Sequence, residues 1–147
     1  MLFNVCFPLK YRQTILTASR TYGVDSVLVA AVINAESGFD KNKVSVKQAV
    51  GLMQLLPSTA AALEPDQAID LFDPTTNITL GVKYLAYLID KFEDTDTALF
   101  AYNAGEGNVA RWLNEHGKTK LTTCPFKATN AYVYKIKKSL KYYRGRI

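Results

Sequence analysis

Apolar side chains recur along this chain at helical spacing, and Gly, Pro and Asp break the runs. Tyr11, Ile15, Ala18 and Tyr22 share one face of a helix that Gly23 stops. Asp25 stands where it caps a second helix through Val27 to Glu36. That segment is apolar nearly all round, which predicts a buried central helix. From Gly38 to Val50 the sequence turns polar and irregular, read as a long loop or a small β element. Pro57 opens a short Ala-rich helix ending near Leu63. Asp73-Pro74 gives a cap and a first-turn proline to a clear amphipathic helix, with Ile78, Val82, Leu85, Ile89 and Phe92 on its apolar face. After a polar break at Glu93 to Thr97, a helix is expected from about Thr97 to Ala104. Asn108 is the candidate cap of another, which Gly117 stops. Lys118 to Lys127 reads as loop. A last helix buries Val133, Ile136, Leu140 and Tyr143 and turns Lys135, Lys137, Lys138 and Lys141 elsewhere. With no internal repeat, linker or low-complexity tract, the expectation is one compact, mostly α domain over residues 1–147, its core at about 9–143.

A length of 147 residues suits a single domain. No stretch approaches the ~18–20 uninterrupted apolar residues of a membrane-spanning helix. The opening Met1–Leu9 run is apolar but short, without the basic start and small-residue cleavage site of a signal peptide. The net charge of +5 is unevenly spread. Lys118 to Ile147 holds nine Lys or Arg and no acid, while the remainder holds nine basic and thirteen acidic residues. Such a tail meets water as a solvated helix face, the reading preferred here, or binds an anionic polymer, lipid headgroups or nucleic acid. No aromatic-interleaved basic motif supports nucleic acid. Cys6 and Cys124 form at most one disulfide and are expected to be free. They lack C-x-x-C spacing, and the lone His116 offers no metal cluster, so neither metal nor cofactor is expected.

The chemistry concentrates on Glu36. Between Ser26 and Ala35 only Ser26 and Asn34 are polar, and Glu36 follows them at the C-terminal end of the helix, just before Gly38. Burial and the negative end of the helix dipole both disfavour its carboxylate. Each raises the pKa toward a value at which the group still donates a proton near neutrality, as a general acid for glycosidic cleavage must. The competing reading is an exposed Glu at a frayed helix end.

The surrounding motifs resolve that choice. Glu36-Ser37-Gly38-Phe39, Ser45, Gly51-Leu52-Met53-Gln54 with Pro57, and Ala101-Tyr102-Asn103-Ala104-Gly105 follow one another in an order that resembles the lytic transglycosylases. These belong to the lysozyme-like superfamily, which also holds the goose-type lysozymes. Connecting segments resemble them too: Tyr22-Gly-Val-Asp25, Leu71-Phe-Asp-Pro74 and Asn77-Ile-Thr-Leu-Gly81. The resemblance covers roughly Leu9 to Tyr143 and implies a mostly α, lysozyme-like α+β fold. It further implies that Glu36 is the catalytic acid/base and that Ser45 lies near a bound N-acetyl group. Gln54 would line the cleft, Tyr102 and Asn103 would floor the site, and Tyr132 would hydrogen-bond the catalytic Glu. Two positions depart from the pattern. Leu56 replaces a frequent Met, and Ala128, before Thr129, replaces a frequent Glu, which removes a polar contact from the cleft wall.

Most glycosidases use two carboxylates. Here Asp40 lies beyond Gly38 in irregular sequence, and Asp66, Asp70, Asp73, Glu93, Asp94 and Asp96 sit in cap or turn contexts. The resemblance implies a route that needs one. The N-acetyl carbonyl of N-acetylmuramic acid attacks the anomeric carbon while Glu36 protonates the leaving oxygen. Glu36 then takes the proton of the sugar's 6-hydroxyl, which closes a 1,6-anhydro ring. The implied partner is the peptidoglycan glycan strand, met by a monomer in the cell envelope or outside the cell. A hydrolase of the same fold using Asp40, and a silent sugar-binding module, are the alternatives.

Overall fold

The structure, a computed structural model, describes residues 2–147 and contains eight helices over that range. They are α1 (Leu2–Cys6), α2 (Arg12–Tyr22), α3 (Ser26–Ser37), α4 (Pro57–Leu63), α5 (Pro74–Phe92), α6 (Thr95–Ala104), α7 (Glu106–His116) and α8 (Lys127–Tyr143). No helix among the described residues is long and apolar enough to cross a membrane.

The helix ends follow the local chemistry of the sequence. Asp25, Asp73 and Asp94 each accept a main-chain N–H at the start of α3, α5 and α6. Gly23, Gly38 and Gly117 close α2, α3 and α7 in the left-handed conformation, where a glycine carries no Cβ penalty. Two boundaries differ from expectation. Helix α7 begins at Glu106, so Asn108 lies within its first turn rather than capping it. There its amide donates to the Ala104 carbonyl at 2.8 Å. Helix α8 begins at Lys127, well before its first strongly apolar position, because Thr129 and Tyr132 are already buried there. Helix α1 was not expected. It leaves Leu2 and Val5 exposed, while Phe7, just beyond it, stacks on Tyr142 with ring centroids 4.0 Å apart.

Helix α3 is the axis of the core. Val29 through Ile33 are wholly inaccessible to solvent, and α3 packs against α2 on one side and α8 on another. Full burial of each such Val or Ile contributes roughly 1.5–3 kcal/mol, so packing rather than amphipathic patterning holds this helix in place. A smaller cluster of Leu55, Ala60, Leu71 and Leu80 carries α4 against α5.

The 38–56 segment is the irregular part of the chain. Its β character is confined to two isolated antiparallel bridges, Val44 to Val50 and Val50 to Leu55. One buried side chain organises it. Asn77, 1% exposed on α5, accepts from the Met53 N–H at 2.8 Å and donates to the Val50 and Leu71 carbonyls at 2.8 and 2.9 Å. Gly51 lets that amide in: with φ of +79°, its Cβ position would lie 2.3 Å from Asn77 Nδ2. Gly81 similarly admits Met53, whose Cβ lies 2.7 Å from where an added methyl would sit.

Replacing Asn77 by Ala leaves the buried Met53 N–H and the Leu71 carbonyl unpaired, while the Val50 carbonyl keeps the Leu55 N–H. We expect a loss of about 3 kcal/mol in stability, read as a lower urea midpoint at unchanged slope.

Candidate active site

Glu36 sits on the last turn of α3. The residue as a whole keeps partial exposure, but its carboxyl is enclosed enough that burial dominates its titration. Loss of hydration raises its pKa from 4.5 to about 7, against smaller opposing pulls from the Tyr132 hydroxyl and the Lys43 ammonium. No second carboxylate is among the groups that act on it. Lys43 Nζ also donates to the Glu36 carbonyl at 2.7 Å, satisfying one of the acceptors left open at a helix C-terminus.

Two tyrosines face this carboxyl. Tyr132 comes from α8, 9% exposed, with its hydroxyl fully buried. That hydroxyl closes no hydrogen bond of good geometry among the described residues. The group it approaches is Glu36, whose charged form it favours through a contact short of that geometry. Tyr102 comes from α6, and its hydroxyl donates to the Met53 carbonyl at 2.7 Å. Burial first, and then the neighbouring Glu36, push both phenols well above their usual pKa. Both therefore remain neutral O–H donors wherever Glu36 titrates.

The other expected residues are held by hydrogen bonds of their own. Gln54 adopts a left-handed backbone, φ 50°, and its amide donates to the Lys43 and Gly51 carbonyls at 3.0 and 2.9 Å. Only its side-chain oxygen is left for a ligand. Ser45 Oγ accepts from the Ala49 N–H at 3.1 Å and shapes the tip of the same loop. Asn103 is exposed, and its oxygen accepts from Thr129 Oγ1 at 2.7 Å, tying α6 to the first turn of α8. Ala128 is exposed beside that contact. Glu36, Tyr102 and Tyr132 thus act on one another, Gln54 and Ser45 belong to the loop after α3, and Asn103 joins α6 to α8.

Sequence reasoning missed three contributors. Asn77 lay within a quoted motif but read as part of a helix. Lys43 carried no signal, since only the fold returns it to the end of α3. Tyr84, on α5, lies 5.4 Å from the Tyr102 ring and 6.2 Å from Tyr87, extending an aromatic run outward. That run enters a cavity of about 550 Å³ lined by Ser58, Thr59, Ala62, Leu63, Tyr87 and Glu106. Several of the other carboxylates are engaged elsewhere. Asp40 is exposed and accepts from the Asn42 N–H at 2.9 Å. Asp70 accepts from Phe72 N–H, and Asp96 pairs with Lys137. Cys6 and Cys124 are free thiols, and no group of acids, His and Cys among the described residues is placed to hold a metal.

A mostly helical fold of this topology defines a class, and solved structures share the fold. The lytic transglycosylase Slt of Pseudomonas aeruginosa superposes with a TM-score of 0.81 at 28% identity, covering 96% of this chain and 25% of that one. The 70 kDa soluble lytic transglycosylase of Escherichia coli superposes at 0.83 with 29% identity, covering 94% and 24%, and has also been solved with bulgecin A. The fold is therefore that of the lysozyme-like lytic transglycosylases. Residues 13–124 match the transglycosylase SLT domain, and the chain belongs to that family. The transglycosylase of Enterobacteria phage PRD1 is 41% identical over 104 residues, 71% of this chain and 38% of its own. Membrane-bound lytic murein transglycosylase C of Shigella sonnei is 31% identical over 170 residues, 93% and 47%. The chain thus spans less than half the length of either relative.

The raised pKa is also a statement about stability. The unfolded chain gives up the Glu36 proton near 4.5, the folded chain near 7. The cost of ionising Glu36 in the fold is absent below about pH 4.5, grows as pH rises and is complete above about pH 7. Glu36→Gln is expected to stabilise the fold at about pH 8 by up to about 3 kcal/mol and to make no difference at about pH 4, as urea unfolding at the two pH values checks. Tyr132→Phe removes a group that favours the carboxylate, so carbon-13 titration of Glu36 should move above 7.

Proposed function

We propose that this chain cleaves peptidoglycan glycan strands as a lytic transglycosylase, with Glu36 as its single acid/base. The observation that carries the reading is a carboxyl poised near pH 7 between two neutral tyrosine hydroxyls, with no second carboxylate acting on it. A lone acid suits a reaction in which the substrate supplies its own nucleophile. At the β-1,4 bond between N-acetylmuramic acid and N-acetylglucosamine, protonated Glu36 delivers its proton to the bridging oxygen as the N-acetyl carbonyl attacks C1. The resulting carboxylate then accepts the proton of the sugar's 6-hydroxyl, and that oxygen displaces the acetamido group. The product is a 1,6-anhydro end, and no water is consumed.

Tyr132 orients Glu36 as a donor, while Tyr102 gives its hydroxyl proton to the Met53 carbonyl, which fixes its ring against the cleft. Ser45, Gln54 and Asn103 complete the sugar-facing wall. The aromatic run Tyr102–Tyr84–Tyr87 offers flat faces to the further sugars of the strand. The names of the relatives support murein as the substrate class and the cell envelope as the place of action. The hydrolase alternative needs an acid to hold water opposite Glu36. Asp40, solvent-exposed and engaged with its own loop, is poorly placed for that role.

Mass spectrometry of digested sacculi tests the reading. Anhydro-ended muropeptides support it, and reducing ends would assign a hydrolase. Glu36→Gln should lower turnover by about 10³-fold or more, with glycan binding retained. As a general acid, Glu36 must hold its proton, so kcat/KM should fall as pH rises through about 7.

A further inference from the structure

Lys43 stands at a junction in the irregular segment that follows α3. Its main-chain carbonyl accepts twice, from the Gly51 N–H at 2.8 Å and from the Gln54 amide at 3.0 Å. Its ammonium reaches back along the chain to the Glu36 carbonyl at 2.7 Å. One residue therefore joins the loop of Ser45 and Gln54 to the helix end that carries the acid. The chain turns back this way because Gly38 and Phe39 are both left-handed, with φ of 61° and 66°. The Phe39 side chain, 2% exposed, holds that reversal in the core. Asp40 adds a turn, its carbonyl accepting from the Lys43 N–H at 3.3 Å.

This loop depends on fastening from outside. Its non-glycine residues Phe39, Gln48 and Gln54 all hold positive φ, a backbone that persists only where the surroundings impose it. Asn77 and Ser37 restrain the Val50–Met53 end, and the Lys43 ammonium ties the Asp40–Ser45 end to α3. Lys43 forms no ion pair among the described residues, so no carboxylate neutralises it. The titratable groups coupled to Glu36 are then Tyr132 from α8, Tyr102 from α6 and Lys43 from the loop.

We propose that Lys43 is a positioning residue for Glu36: its ammonium clamps the loop of Ser45 and Gln54 to the end of the acid-bearing helix and keeps one positive charge beside the acid. This role rests on the function proposed above. The clamp sets where the free side-chain oxygen of Gln54 points, so cutting it weakens binding of the glycan. The charge favours the carboxylate, so removing it lets Glu36 keep its proton to higher pH. A lysine that merely finished the helix would do neither.

The test compares Lys43→Met, which removes bond and charge together, with Lys43→Arg, which keeps both. The side chain is exposed, so the urea midpoint should hardly move. We expect Lys43→Met to raise KM about threefold, the scale of one exposed contact. The alkaline limb of kcat/KM should move upward together with the carbon-13 midpoint of Glu36, and Lys43→Arg should return both toward the unsubstituted values. An unmoved midpoint, or a loss of activity equal at every pH, overturns the proposal, as does a change that Lys43→Arg fails to restore. If the unsubstituted protein cleaves no peptidoglycan, the function proposed above fails by itself. The clamp is then judged without turnover. Lys43→Met should still raise the Glu36 midpoint and speed hydrogen exchange of the Gly51 amide about threefold, and an unchanged value of either overturns it.

Discussion

Ionising a carboxyl withdrawn from water at the negative end of a helix is costly, and that cost organises the centre of this protein. Helix α3 is buried on nearly all sides, so the side chain at its end has little access to bulk solvent. The neighbours that soften the cost are few: a phenol from α8 and an ammonium from the loop that follows α3. Burial outweighs both, and the carboxyl is held near neutrality instead of at the ordinary value for Glu. Had α3 been amphipathic with a solvated face, the same residue would titrate as a surface acid.

The second constraint is rigidity of the loop facing Glu36. That loop has almost no sheet pairing of its own, so its shape is imposed from outside. Asn77 does this with one amide that meets three main-chain groups, and Ser37 Oγ adds a fourth bond to the Leu52 carbonyl at 2.7 Å. The Met53 carbonyl is thereby fixed as the acceptor for Tyr102. A side chain on α5 thus sets the position of a hydroxyl on α6 without touching it. The family match ends at Cys124, so the helix that brings Tyr132 to the site lies beyond it.

Charge is distributed on the same logic. Ion pairs such as Lys83–Glu64 and Lys91–Glu106 neutralise the α4–α5 and α5–α7 surfaces. The flank of α8 that meets α1 and α3 has no such partners. Within the basic tail, Lys120 and Lys137 are paired with Asp94 and Asp96, and most of the other lysines stay exposed, as a solvated face requires.

The sequence by itself determined most of the helices and most of their caps. These depend on contacts within a few residues: a carboxylate reaching the N–H groups of its own helix start, a glycine turning left-handed, apolar side chains repeating each turn. It also determined that Glu36 ends an apolar helix, and the order of motifs pointed to the tyrosines. From Gly38 to Val50 the sequence does not choose between coil and β because the shape there is not local; it comes from Asn77, more than twenty residues away. Helix α7 starts earlier than its candidate cap because the turn at Gly105 decides the boundary, and α1 forms where its end meets Tyr142, at the other end of the chain. Tertiary structure alone decided that Lys43 returns to the end of α3 and that the Gln54 amide holds its own loop. Each depends on groups distant in sequence meeting in a buried or concave place, where removal of water sets the energy of a charge.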